Sequence, residues 1–92
     1  MAEKHGMSVT YIIFSKMKRH FYVGSSRLND TEKRLKAHNA GRVRSTKLGR
    51  PWVEVAVEVF DSYTEARKRE IFLKSGVGRK WISNRYGHYK QS

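Results

Sequence analysis

The chain has 92 residues, enough for one small domain, and carries 20 Lys and Arg against 8 Asp and Glu, a formal net charge of +12. A body that basic points to a polyanionic partner, and nucleic acid is favoured over membrane because no amphipathic helix with a broad apolar face and no membrane-length apolar run is present. The absence of cysteine excludes disulfides, thiolate zinc sites and cysteine nucleophiles.

Residues 1–7 are polar and read as a disordered lead-in with no secretory apolar core, so a cytoplasmic protein is expected. Ser8 to Ser15 is rich in β-branched and aromatic residues and predicts a strand. Lys16 to Arg19 interrupts it, and His20 to Ser25 predicts a second strand paired with the first as a hairpin. A loop centred between Lys16 and Met17 would set Tyr11 opposite Tyr22 on one face, whereas a one-residue shift in the strand pairing would part them. After a connector from Ser26 to Asn29, a helix from Asp30 to Asn39 is predicted, capped by Asp30 or by Asn29 with Glu32 and stopped by Gly41. Leu35 is its one large apolar residue, so it packs through a narrow stripe.

Residues 41–52 form a basic loop carrying Arg42, Arg44, Lys47 and Arg50, candidates for contact with a nucleic-acid backbone. Val53 to Phe60 alternates, with Val53, Val55, Val57 and Val59 on one side, and predicts a third strand. Ser62 with Glu65 is a capping-box pattern that opens a helix running to about Lys74, ended by Ser75-Gly76. Val77 to Ile82 predicts a short last helix, and residues 83–92 are left as a tail. The order β-β-α-β-α-α predicts an α+β domain over residues 8–82, a three-stranded antiparallel sheet packed with helices.

Arg34 and His38 are one turn apart on the same helix face. A guanidinium holds phosphate in a fixed fork, and an imidazole exchanges protons near neutral pH. On spacing alone a solvated basic helix face is the favoured reading of the pair. Tyr11 and Tyr22 are ordinary strand tyrosines unless their hydroxyls converge, and a phenol is a poor base unless cations or a metal lower its pKa. Glu70 lies within Arg67-Lys68-Arg69-Glu70. It either joins helix salt bridges or is a carboxylate that holds Mg²⁺ beside phosphate and water.

Together these residues resemble the GIY-YIG nuclease superfamily. Val9-Thr10-Tyr11 stands at its first motif and Tyr22-Val23-Gly24 at its second, the tyrosines eleven positions apart. Lys33 to Asn39 is similar to its Arg/His helix, and Arg69-Glu70 to its glutamate segment. The segments Val43 to Lys47, Arg50 to Trp52 and Leu73 to Trp81 are similar to small single-domain bacterial members. Those members are related to the N-terminal nuclease domain of nucleotide-excision repair enzymes. The chain departs from the pattern in having Val9-Thr10 for glycine-isoleucine and a connector about two residues longer near Arg27-Leu28. The asparagine that some members place near the site has only Asn84 as a candidate counterpart.

The resemblance implies a metal-dependent endonuclease acting on DNA, with Mg²⁺ or Mn²⁺ on Glu70, Arg34 on the phosphate, and Tyr11 as base with its pKa depressed by surrounding cations. Tyr22 and His38 would position the water or relay the proton. The DNA could be branched or damaged, as in repair or recombination, with a protein partner adding specificity. The competing reading is a nucleic-acid-binding module that keeps the fold without turnover; Glu70 favours the enzyme.

Overall fold

The computed structural model describes residues 6–91. The strands are β1 (Ser8–Ser15), β2 (His20–Arg27) and β3 (Trp52–Phe60); the helices are α1 (Thr31–Asn39), α2 (Tyr63–Lys74) and α3 (Gly76–Tyr86). They form a three-stranded antiparallel sheet in the order β2-β1-β3, with helices on both faces, the α+β architecture expected. No helix among the described residues is long and apolar enough to cross a membrane. Residues 1–5 of the expected lead-in lie outside the described residues.

β1 is central and buried along its whole length, which explains its apolar, β-branched composition. Val9, Tyr11 and Ile13 face one way and pack with Trp52, Leu28 and Leu35 under α1. Ile12 faces the other way and packs with Val23, Leu73 and Ile82 under α2 and α3. Thr10, on that second face, is buried and donates its hydroxyl to the Ala66 carbonyl at 2.7 Å, tying the start of α2 to the central strand.

The hairpin register differs from the expected one. Tyr11 pairs with Gly24 and Tyr22 with Ile13, because the four-residue loop is centred one residue later than anticipated. Ser15 sets it there. Its carbonyl accepts the Arg19 N–H at 2.7 Å, its hydroxyl accepts the Lys18 N–H at 2.9 Å, and Arg19 takes a left-handed φ of 57°. The displacement moves every pairing by two, which preserves side-chain parity, so the two tyrosines still share a face as diagonal neighbours.

β3 also departs from simple alternation. Ile12 pairs with Ala56 and Ile13 with Glu54, which leaves Val55 as the extra residue of a bulge. Val55 and Ala56 therefore both pack on the α2 side while Val57 packs with the Tyr11 cluster, and Val53 and Val59 are exposed.

At the helix ends, Asp30 occupies the position before α1, but neither its side chain nor that of Asn29 makes a capping bond; the Thr31 hydroxyl bonds the Leu28 carbonyl at 3.0 Å instead. The connector length is absorbed by β2 continuing to Arg27 and a 3₁₀ turn at Leu28–Asp30. Gly41 follows α1 with a φ of 79°, as a helix stop should. Ser62 caps α2 by accepting the Glu65 N–H at 3.2 Å. Ser75 ends α2 and its hydroxyl accepts the Gly78 N–H, so Gly76 opens α3 rather than closing α2. α3 runs past Ile82 to Tyr86, and the following turn lays Tyr89 against Phe14 and Phe21, so residues 83–91 are folded onto the domain where a tail was expected.

Gly78 lies where α3 crosses α2, and a methyl there would run into the Phe72 carbonyl and the Leu73 backbone. Backbone cannot swing aside, so Gly78→Ala should lower the unfolding free energy by about 1–3 kcal/mol or more in chemical denaturation. Gly87→Ala, with open space around it, should cost nothing comparable.

Candidate active site

The site begins with Tyr11 lying across the hairpin. Its ring passes over Gly24, its partner on β2, so closely that any Cβ at position 24 would overlap the phenol oxygen. Glycine at this point is a spatial requirement of the tyrosine. The Tyr11 hydroxyl then reaches His38 Nε2 at 2.9 Å. His38 is fully buried although it comes from the most polar helix, and its Nδ1 meets Thr46 Oγ1 at 2.7 Å.

The Thr46 hydroxyl also points at the Val43 carbonyl at 3.3 Å, and it has one proton to give. One arrangement satisfies every group: Thr46 donates to Val43, His38 donates from Nδ1 to Thr46, and Tyr11 donates to the free Nε2 lone pair. This places the imidazole proton on Nδ1. Burial, followed by the charge of Arg34, lowers the His38 pKa to about 4, so the ring is neutral at physiological pH.

α1 is held at its far end by Asn39, whose amide both accepts the Trp52 N–H at 2.6 Å and donates to the Trp52 carbonyl at 3.1 Å. The helix is thereby docked to the first residue of β3, and this fixes His38 over the sheet. Arg34, one turn earlier, is exposed and has no carboxylate partner among the described residues. Its guanidinium acts on the Tyr11 hydroxyl by hydrogen bonding and by charge.

The Tyr11 pKa is nonetheless raised. Burial is the largest cause, Arg34 opposes it without overcoming it, and Tyr22 and Glu70 add to the rise. The expectation of a phenol made acidic by the basic surface is therefore corrected: at this depth the loss of hydration outweighs the neighbouring cation.

Tyr22 packs edge-on against His38 with centroids 5.3 Å apart and against Trp52 at 6.0 Å. Glu70 arrives from the opposite face of the sheet, on α2, and meets this group at the outer strand β2. Its Oε1 accepts from Ser25 Oγ and Arg67 Nη1, and its Oε2 from Lys74 Nζ, each at 2.6 Å. Lys74 Nζ also stands 5.4 Å from the centre of the Tyr22 ring and so joins the two halves. Burial pushes the Glu70 pKa up, but the bonds from Lys74, Ser25 and Arg67 outweigh it and keep the carboxyl below its usual range, hence ionised.

Glu70 is the one carboxylate of this group, and no three His, Asp or Glu side chains converge as a metal cage among the described residues. A hard divalent cation that completes its shell with phosphate oxygens and water fits a single ionised carboxylate. Arg67 and Lys74 are each about half exposed and can swing off the carboxylate oxygens to admit it.

Tyr11, Tyr22, Arg34 and His38 thus lie on one face, with Glu70 brought to them around the sheet edge. Arg42, Arg44, Lys47 and Arg50 are exposed on the segment that Thr46 anchors; Arg50 is partly engaged, donating from Nε to the Lys47 carbonyl at 2.8 Å. Asn84 is exposed on α3 and makes no hydrogen bond with the other site residues. Sequence reasoning missed the roles of Thr46, Ser25, Arg67 and Lys74. Helical spacing carried a signal for Arg67 and Lys74, three and four residues from Glu70; Thr46 and Ser25 are recognisable only from their partners in space.

The family model described as the GIY-YIG catalytic domain matches residues 7–86 of the 92, and the chain belongs to this family. The domain is a nuclease-type fold. No curated protein matches the chain.

The His38 arrangement has a measurable signature. In ¹⁵N spectra the ring should be the Nδ1–H tautomer from neutral pH down to about pH 4, where it takes up its second proton. Thr46→Val leaves a buried N–H without an acceptor and should cost about 1–3 kcal/mol, while Thr46→Ser should restore most of it. Because the folded pKa lies below the unfolded value of 6.5, the unfolded chain binds the extra proton between them. The contribution to stability is complete above about pH 6.5 and falls by roughly 3 kcal/mol as the pH drops towards 4. His38→Gln should flatten that slope in pH-dependent denaturation.

Proposed function

We propose that the protein is a divalent-metal-dependent endonuclease that hydrolyses phosphodiester bonds in DNA, structure-selective and suited to repair or recombination. The observation that carries this reading is the neutral Tyr11–His38 hydrogen bond set beside the guanidinium of Arg34, which has no carboxylate partner among the described residues, with the ionised carboxylate of Glu70 at the same sheet edge.

In this reading Arg34 binds a non-bridging oxygen of the scissile phosphate and stabilises the charge that builds on it. Bound phosphate offsets the Arg34 charge, which is one of the two causes holding the His38 pKa down, so His38 becomes a better proton acceptor when substrate is present. A water beside Tyr11 gives its proton to the phenol oxygen as the phenol proton moves to His38 Nε2. The Tyr–His pair thus acts as the base without a free phenolate, which suits the raised Tyr11 pKa. Tyr22 orients the water. Glu70 would hold Mg²⁺ or Mn²⁺, whose chemistry is to stabilise charge on the phosphate and the leaving oxygen. Arg42, Arg44, Lys47 and Arg50 follow the nucleic-acid backbone, giving affinity that falls steeply with salt.

The second reading, a DNA-binding module without turnover, draws on one observation: both Glu70 oxygens are engaged by the chain's own cations. Incubation with supercoiled, branched and single-stranded DNA in Mg²⁺, Mn²⁺ or EDTA separates the two. Metal-dependent nicking is expected in the wild type. Tyr11→Phe, which loses the proton path, and Glu70→Gln should each reduce it by about 10²-fold or more. Wild-type protein that binds all these DNAs and cuts none of them in either metal would leave the binding module standing.

A further inference from the structure

A cavity of about 540 Å³ opens beside the site, between β2 and the helices α2 and α3. Its walls combine two kinds of surface. Phe21, Val23 and Ile82 supply an apolar side, and Lys74, Arg79 and Lys90 supply a cationic one. Tyr22 and Lys74 belong both to this cavity and to the group around Glu70 and His38, so the two are continuous. Lys90 Nζ stands 5.7 Å from the centre of the Phe21 ring, as Lys74 Nζ does over Tyr22 at 5.4 Å. Neither Arg79 nor Lys90 has a carboxylate partner among the described residues.

We propose that this cavity holds one unpaired nucleotide of a single-stranded DNA segment that continues the strand cut at Arg34 and Glu70. The inference rests on the nucleic-acid reading of that site and adds the form of its substrate.

Three features favour an unpaired nucleotide over a duplex. The volume lies within the range of about 300–1,000 Å³ that encloses a small organic ligand, and a double helix is too wide to enter it. An apolar, aromatic wall gains from an exposed base face, which duplex DNA keeps stacked inside. A flat base can replace the Lys90 ammonium over Phe21, freeing that lysine for the phosphate it accompanies. Arg79 and Lys90, with no carboxylate partner among the described residues, match the backbone of such a segment at the rim. Continuity with the phosphate-binding group distinguishes this occupant from an acidic peptide, which has no reason to run on to Arg34 and Glu70.

The test measures binding by fluorescence anisotropy in EDTA, where no hydrolysis intervenes. The ligands are a blunt duplex, the same duplex with a short single-stranded overhang, and overhangs carrying an abasic residue at each position in turn. The overhang should tighten binding about tenfold, the scale of one base stacked on an aromatic ring. The abasic residue should abolish that gain at one position and not at the others. Arg79→Ala/Lys90→Ala, two surface changes whose folding is checked by circular dichroism, should lose the overhang gain and keep the blunt-duplex affinity. Arg44→Ala/Lys47→Ala should weaken both ligands. Equal binding of blunt and overhanging DNA, an abasic scan without a position effect, or equal weakening of both ligands by the Arg79/Lys90 pair would each overturn the proposal. Loss of the hydrolytic reading leaves this measurement intact: a protein that never cuts yet shows the overhang preference retains the nucleotide cavity.

Discussion

The buried chain of hydrogen bonds from Tyr11 through His38 and Thr46 to the Val43 carbonyl is the constraint on which much of this domain depends. It links the apolar central strand to α1 and to the basic segment after α1, two pieces with little apolar surface to share. α1 buries one residue fully, and that residue is His38. A polar helix can be held through a buried imidazole because both ring nitrogens find partners at hydrogen-bond distance, which removes the penalty of burying them. The bond that docks α1 is therefore also the bond that sets the protonation state of the site.

The second organising fact is that the group sits at the edge of the sheet. Tyr11 and Tyr22 project on the α1 side, and Ser25 on the α2 side. Gly24 lies between them on the outer strand, and its missing side chain lets the phenol of Tyr11 lie over β2. Glu70 needs no path through the core, since it reaches the same place around the strand. Thr10 illustrates how tightly the central strand is committed. At the position where the related motif has isoleucine, its hydroxyl bonds the first turn of α2, so that one face of β1 orients the glutamate helix while the other carries the tyrosine.

Much of this architecture was legible because it depends on short-range pattern. β1, α2 with its Ser62 cap, and the Gly41 stop follow from composition and periodicity alone. The hairpin register was not legible. It is decided by Ser15 bonding the loop backbone, yet the shared face of the tyrosines survived because the displacement was even. The bulge at Val55 is invisible in a run of alternating valines, and the last turn of α3 is hidden by Ser83, Asn84 and Arg85, which face outward. Within the site, Tyr11, Tyr22, Arg34, His38 and Glu70 were named from spacing and from resemblance. The direction of the Tyr11 pKa was misjudged because the sequence reveals the number of cations and not the depth of the hydroxyl. Thr46 had no signal at all outside its contacts.

The Glu70 triad of bonds has a consequence for how the domain tolerates its surroundings. A buried carboxylate with no counter-charge would burden the fold, and a protein that relied on a divalent ion to relieve it would loosen whenever the ion was withdrawn. Here Arg67, Lys74 and Ser25 relieve it from within. The fold therefore carries its own counter-charge at Glu70, and withdrawal of divalent cations by a chelator leaves its architecture standing.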